Sequence, residues 1–303
     1  MQYKENQLFM NATLKYSLST LLALIAFAGN SVLCRLALAD QTIDATSFTI
    51  LRLVSGAITL WCLVLFTHKS TQHAHSAHRG SSHYWRSGAL LFIYAAGFSY
   101  AYIALDTGIG ALILFGCVQL SMISVSLFKK ERFNLLQYAG LIVAFSGLVY
   151  LVLSQNSESS GSNSLLGVIL MGLAGVAWAG YTLMGKGSAS PLLDTKNNFI
   201  YALPFCLALL LAFLIIPANI STTGVLLALA SGAITSGLGY AIWYIALEGL
   251  SRIQAGVVQL LVPVIAAIGG AIWANEALGF ELILAQIIIL GGIAMVLFTP
   301  KKS

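Results

Sequence analysis

Charge is what this sequence has least of. Only 8% of its 303 residues are Asp, Glu, Lys or Arg, about a third of the share found in soluble domains. So few charges cannot cover a water-exposed surface, which excludes an ordinary soluble domain and leaves lipid as the main solvent. Cysteine is scarce too. Cys34, Cys62, Cys117 and Cys206 all lie inside apolar runs and form no CxxC pair, so they read as small buried thiols rather than as a disulfide framework or a zinc finger. A GxxxxGK[ST] loop is missing, as are HExxH, GxSxG and paired intramembrane aspartates. Their absence argues against ATP-driven transport and against a membrane enzyme, and no cofactor is expected. The net charge of +5 gives no continuous basic face, because the lysines and arginines are scattered over short connections. Nucleic acid is therefore not an expected partner.

What is present in excess is apolar sequence, at 58% of residues. A helix of roughly 20 apolar residues crosses a bilayer. The runs do not alternate apolar and polar residues as barrel strands do, so the expected fold is an all-α membrane protein. Ten spans are predicted: 14–38, 45–66, 87–105, 108–128 and 135–153, then 165–185, 198–216, 224–247, 253–273 and 280–298. Residues 1–13 read as a polar lead and Ser154 to Ser164 as a flexible linker. The first span has the look of a signal peptide ending at Ala37-Leu38-Ala39, but Arg35 stands where a cleavage region should be neutral. It is retained as a membrane helix.

Placing the N-terminus in the cytoplasm puts thirteen of the 15 Lys and Arg residues on the cytoplasmic side and none in the outer loops. Arg35 and Arg52 remain, inside or at the end of helices. This asymmetry predicts a multi-pass protein of a bacterial inner membrane with both termini cytoplasmic.

The chain also repeats itself. GFSYAYIALD at Gly97 to Asp106 matches GYAIWYIALE at Gly239 to Glu248 in five of ten positions. SVSLFKKERF at Ser124 to Phe133 sets Glu131 against Glu276 in GGAIWANEAL, and FAGNSVLCR at Phe27 to Arg35 reads against WAGYTLMGK at Trp178 to Lys186. Two five-span repeats follow, residues 14–153 and 165–298. Five is odd, so the second copy enters the membrane upside down. That architecture suits alternating access about a central site.

With AGNSVLCRLAL, FTILRLVSGAI, YIALD, YIALE and QLLVPVIAAIGGAIWANEAL in view, the chain resembles the drug/metabolite transporter superfamily, specifically its EamA-type members. The likeness covers essentially the whole chain, with Phe27 where the family's familiar tryptophan of span 1 stands. It implies a secondary transporter in which spans 1–4 and 6–9 surround a cavity and spans 5 and 10 lie outside. The family carries many unlike solutes. The expected activity is export of a small organic metabolite, an amino acid or analogue first, by a monomer or homodimer in the lipid bilayer.

The candidate solute contacts are Phe27, Asn30, Arg52, Gln119, Trp178, Tyr181, Tyr240 and Tyr244. Phe27 and Asn30 stand one turn apart on span 1 and recur as Trp178 and Tyr181 on span 6. Tyr240 and Tyr244 share one face of span 8. Arg52 lies two turns into span 2, where a charge costs about 2.5–3.5 kcal/mol on insertion scales. It either meets an anionic group of the solute or pairs with Asp106 or a helix-end carbonyl. The polar candidates can equally be interhelical hydrogen-bonding groups. Asp106 and Glu248 read as solvated caps more readily than as proton relays, and Glu131 and Glu276 as structural. All five histidines lie in Thr67 to Arg86. His73, His75, His78 and His83 have HxH and HxxH spacings that can bind nickel, copper or zinc, which leaves metal export as an alternative. Without a cysteine or acid in that loop, no metal site is assigned.

Overall fold

In the computed structural model, residues 2–67, 80–128, 134–158, 162–185, 188, 190–211, 218–250 and 258–298 are described, and the side chains of 2–13, 126–127, 152, 155–158, 162–164, 244, 248 and 297 are excepted. Among these residues the protein is helical, joined only by an isolated antiparallel bridge between Ile43 and Ile220. The helices are α1 (Gln2–Ala39), α2 (Ala45–Thr67), α3 (Ser81–Ala101), α4 (Thr107–Phe128), α5 (Leu135–Glu158), α6 (Ser162–Gly185), α7 (Pro191–Ala202), α8 (Cys206–Leu210), α9 (Thr222–Ala230), α10 (Gly239–Glu248), α11 (Val262–Trp273) and α12 (Phe280–Phe298). A 3₁₀ turn at Leu203–Phe205 joins α7 to α8 within span 7, and a π-helical stretch at Ser231–Leu238 joins α9 to α10 within span 8.

The packing carries the repeat. α3 lies against α6, and the equivalent pair, span 8 against α1, is also in contact. α4 on α6 is matched by α11 on α1, and α3 on α7 by span 8 on α2. α5 packs on α12, α4 on α11 and α2 on α7, each a pair that maps onto itself when the halves are exchanged. The protein is thus two inverted five-helix repeats related by a pseudo-two-fold axis, with α5 and α12 paired at the side. Its outward faces carry large apolar side chains, among them Ile58, Trp61, Ile142, Phe145, Ile287 and Phe298, each more than half exposed. In water that pattern would be a liability. In a bilayer it is the lipid-facing belt.

Several boundaries differ from the sequence expectation. α1 continues through 2–13, because that stretch holds no Gly or Pro and is rich in good helix formers. Helix also covers the ends of the expected linker, with only residues 159–161 outside the described set. Span 7 begins seven residues early, where Pro191 takes the first helical turn and Asp194 favours its positive end. Within span 9 the helix restarts at Val262, with Pro263 in the first turn of α11, where its missing N–H costs nothing.

Close approach of backbones depends on glycine. At Gly292 on α12 an added Cβ would lie 2.6 Å from the Gly140 carbonyl oxygen on α5. At Gly232 in the π-helical stretch it would run into Ser55 Oγ and the Arg52 carbonyl on α2. Lipid offers no hydrophobic drive between helices, so such tight contact supplies much of the cohesion.

Candidate functional site

Where the two halves meet, the described residues enclose a cavity lined by Phe27, Asn30 and Ser31 of α1, Tyr94 and Phe98 of α3, Leu114 and Phe115 of α4, Trp178 of α6, Thr235 of the π-helical stretch, and Tyr240 of α10. Its volume of about 20 Å³ has room for roughly one water molecule. A metabolite enters only if the bundle opens.

The walls are mostly aromatic. Trp178 sits between Tyr94 and Tyr240, with ring centroids 4.7 and 5.2 Å away, and stacks on Tyr181 at 5.3 Å. Phe27 meets Tyr240 edge-on at 5.8 Å. Asn30 ties the wall together. Its Oδ1 accepts from Ser231 Oγ (2.6 Å) and Thr235 Oγ1 (3.2 Å), and its Nδ2 donates to the Tyr94 hydroxyl (3.5 Å). A π-helical turn widens the helix locally and re-aims side chains. Here it presents Ser231, Thr235 and Ser236 toward α1 and α2.

Arg52 is 2% exposed and lies behind this wall. Its guanidinium carbon is 5.2 Å from the Tyr94 ring centre and 4.8 Å from that of Phe98. Nη2 donates to the Tyr94 hydroxyl (3.0 Å) and Nε to Ser236 Oγ (3.4 Å). Nη1 is buried without a hydrogen-bond partner among the described residues. No carboxylate among them pairs with Arg52. The charge rests on two aromatic faces and two hydroxyls, a cation–π arrangement worth about 2 kcal/mol when desolvated.

The geometry sorts the sequence candidates. Phe27, Asn30, Trp178 and Tyr240 line the cavity, Tyr181 forms the layer behind Trp178 with its hydroxyl accepting from Asn198 Nδ2 (3.4 Å), and Arg52 backs Tyr94 and Phe98. Gln119 is buried on α4 but is not part of the lining. The Tyr244 side chain lies outside the described residues, as do His73, His75 and His78. Tyr94, Phe98 and Thr235 were missed by sequence reasoning. Phe98 was within reach, because the alignment of Gly97 with Gly239 also sets Phe98 against Tyr240.

A second constellation was also missed. Arg35, near the end of α1, donates from Nη2 to Asp106 Oδ1 (2.8 Å), from Nε to Glu276 Oε1 (2.9 Å) and from Nη1 to the Tyr102 carbonyl (3.1 Å). Glu276 Oε2 accepts the Thr107 N–H (2.8 Å) at the start of α4. Asn275, in the left-handed conformation (φ 53°), turns the chain so that the Glu276 N–H caps the Gly270 carbonyl (3.2 Å) and its carboxylate folds back over Gly270. Asp106 therefore pairs with Arg35, not with Arg52, and is not a simple solvated cap. At the same end Asp44 accepts the Asn219 N–H (3.2 Å) and Gln41 O accepts from Asn219 Nδ2 (2.6 Å). These bonds fasten spans 1, 2, 4, 8 and 9 together.

The two acids differ in burial. Side-chain exposure is 47% for Asp106 and 10% for Glu276. Asp106→Asn is expected to cost under about 1 kcal/mol, as exposed ion pairs do. Glu276→Gln leaves one acceptor oxygen for two donors and sets an N–H against the other, and is expected to cost about 1.5–3 kcal/mol. Thermal unfolding of the purified variants in detergent checks the order.

Comparison with known proteins agrees with this architecture. The model of the EamA-like transporter family matches residues 165–298. An uncharacterized protein of Pseudomonas aeruginosa is 47% identical over 92% of this chain and 93% of its own. The chain belongs to the EamA-like transporter family. Two relatives from Archaeoglobus fulgidus, each described as an uncharacterized transporter, are 27% and 28% identical over 64% and 54% of the chain and 69% and 58% of their own lengths. A protein of known crystal structure superposes with a TM-score of 0.63 at 17% identity, covering 92% of this chain and 97% of that one. That likeness shows the fold alone. The family is one of membrane transporters rather than enzymes, and this EamA-like chain is a multi-pass membrane protein.

Proposed function

We propose that this EamA-like protein is a secondary transporter of the inner membrane that exports small organic metabolites, amino acids or their analogues first, by alternating access. The observation that carries the reading is the enclosed aromatic cavity at the pseudo-two-fold axis, to which both halves contribute. Apolar walls with a few converging polar groups suit a small amphiphilic solute. Two inverted repeats can rock about such a site and open it to either side in turn. The cavity's small volume fits a closed step of that cycle. Arg35, Asp106 and Glu276 then form a fastening that must part when their end opens, and the half-exposed Asp106 makes the parting inexpensive.

The test is growth protection of cells expressing the gene, screened over toxic amino acids, their analogues, nucleosides and cationic dyes, followed by export assays on any solute that scores. Protection against none, with the protein present in the membrane, counts against the reading. The proposed orientation has its own check. Reporter fusions after Ser159 are expected outside, and those after Ser76, Ser190 and Ser303 in the cytoplasm. A fusion after Ser303 that reports the outside contradicts it.

A further inference from the structure

We infer that the central cavity recognises its solute by a carboxylate, held against the Tyr94 hydroxyl with Arg52 behind it; the inference rests on the cavity being the solute site. Arg52 is buried, and among the described residues no carboxylate pairs with it and Nη1 has no hydrogen-bond partner. A buried cation without a counter-charge is costly unless something supplies one. None of the described residues that line the cavity is acidic, so the negative group that suits this site is one carried by the ligand.

Tyr94 shows where it sits. The Tyr94 oxygen accepts from Arg52 Nη2 at 3.0 Å and from Asn30 Nδ2 at 3.5 Å. Tyr94 is part of the cavity lining and its hydroxyl also lies within hydrogen-bond reach of Tyr240, so an incoming carboxylate takes the Tyr94 proton in place of that neighbour. A hydroxyl that accepts from a guanidinium is a strengthened donor, and a carboxylate oxygen is the acceptor that gains most from it. The rest of the lining, Phe27, Phe98, Phe115, Trp178 and Tyr240, gives the apolar body an aromatic cage. Together these features select an organic carboxylate with an aromatic or bulky apolar body over its neutral or cationic isosteres. An ammonium group on the same molecule finds no carboxylate in the lining.

The test compares isosteres on the intact protein in detergent. Binding of 3-phenylpropionate, 3-phenylpropionamide and phenethylamine is measured by titration calorimetry and by the shift in thermal unfolding. The acid is expected to bind at least about tenfold more tightly than the amide, and the amine more weakly than either. In Arg52→Gln that preference is expected to collapse because acid binding falls while amide binding holds. In Tyr94→Phe it is expected to shrink. Equal binding of acid and amide by the parent overturns the carboxylate assignment and leaves the cavity standing as a solute site. A preference that survives Arg52→Gln overturns the role given to Arg52. If neither acid nor amide binds, the inference falls, while transport itself is judged separately by the export screen. A purely structural Arg52 would lower both affinities together, so the acid-to-amide ratio separates the two roles. The parent measurement needs no variant to fold.

Discussion

Arg52→Ala is expected to lower transport at least about tenfold while the yield of folded protein stays close to that of the parent. The two halves of this result have separate physical reasons. Removing one member of a buried ion pair is destructive because the other charge is stranded. Here no acidic partner exists among the described residues, so nothing charged is stranded and the insertion cost of the arginine is relieved. What is lost is the donor to the Tyr94 hydroxyl, the bond to Ser236, and the positive potential behind the cavity wall. Arg52→Lys restores the charge but cannot reach Tyr94 and Ser236 with two fixed N–H groups at once, so only partial recovery is expected. Transport per folded molecule in proteoliposomes, set against yield by fluorescence-detected gel filtration, reads both halves. A variant that fails to fold assigns Arg52 to the framework.

The largest loss of stability is expected from Gly232→Val. The position faces Ser55 Oγ and the Arg52 carbonyl so closely that even one added carbon cannot fit without parting α2 from the π-helical stretch. Overpacking of an interior usually costs about 1–3 kcal/mol, occasionally more. The obstacle here includes backbone, which cannot swing aside. Gly232→Val should therefore remove most folded protein from the membrane, and Gly232→Ala a smaller share. Gly291 on α12 is the control. A Cβ there meets nothing within 4 Å, and Gly291→Ala is expected to stabilise its helix by about 0.5–1 kcal/mol. Thermal unfolding in detergent distinguishes the three variants.

The helical framework was legible because lipid writes it into composition. A span has to be an apolar run, and Phe280–Phe298 falls where the run predicts it. The inverted pairing was legible too, since five spans per copy force inversion whatever the side chains do. Helix ends were less so. α1 runs through a polar lead because polar helix formers continue a helix as well as apolar ones do, and Pro263 opens a helix inside what hydropathy shows as one continuous run. The π-helical stretch left only SGAITSGLG as a trace, and glycine-rich sequence is equally compatible with straight, closely packed helix.

The site was partly legible. Phe27 and Trp178 stood out as one face repeated in the two halves, and both line the cavity. Tyr94 did not, because the alignment sets it against Ser236, a residue of different chemistry, although both accept from Arg52. The Arg35 network joins positions 35, 106 and 276 through space, and no local pattern reports such a contact. The repeat held a hint. It sets Arg35 against Lys186, Asp106 against Glu248 and Glu276 against Glu131, so charge recurs at the same three places in both copies.

The most direct test of the central claim, that solute passes through the aromatic cavity between the halves, is export from proteoliposomes by Asn30→Ala, Tyr181→Ala and Tyr240→Ala, using the solute found in the growth screen. Each change removes a polar contact or an aromatic wall without touching the outer belt. Each variant is expected to export several-fold more slowly per folded molecule, since a lost hydrogen bond is worth about 0.5–1.5 kcal/mol. Export at the parental rate by all three would contradict passage through this cavity and place the pathway elsewhere in the bundle.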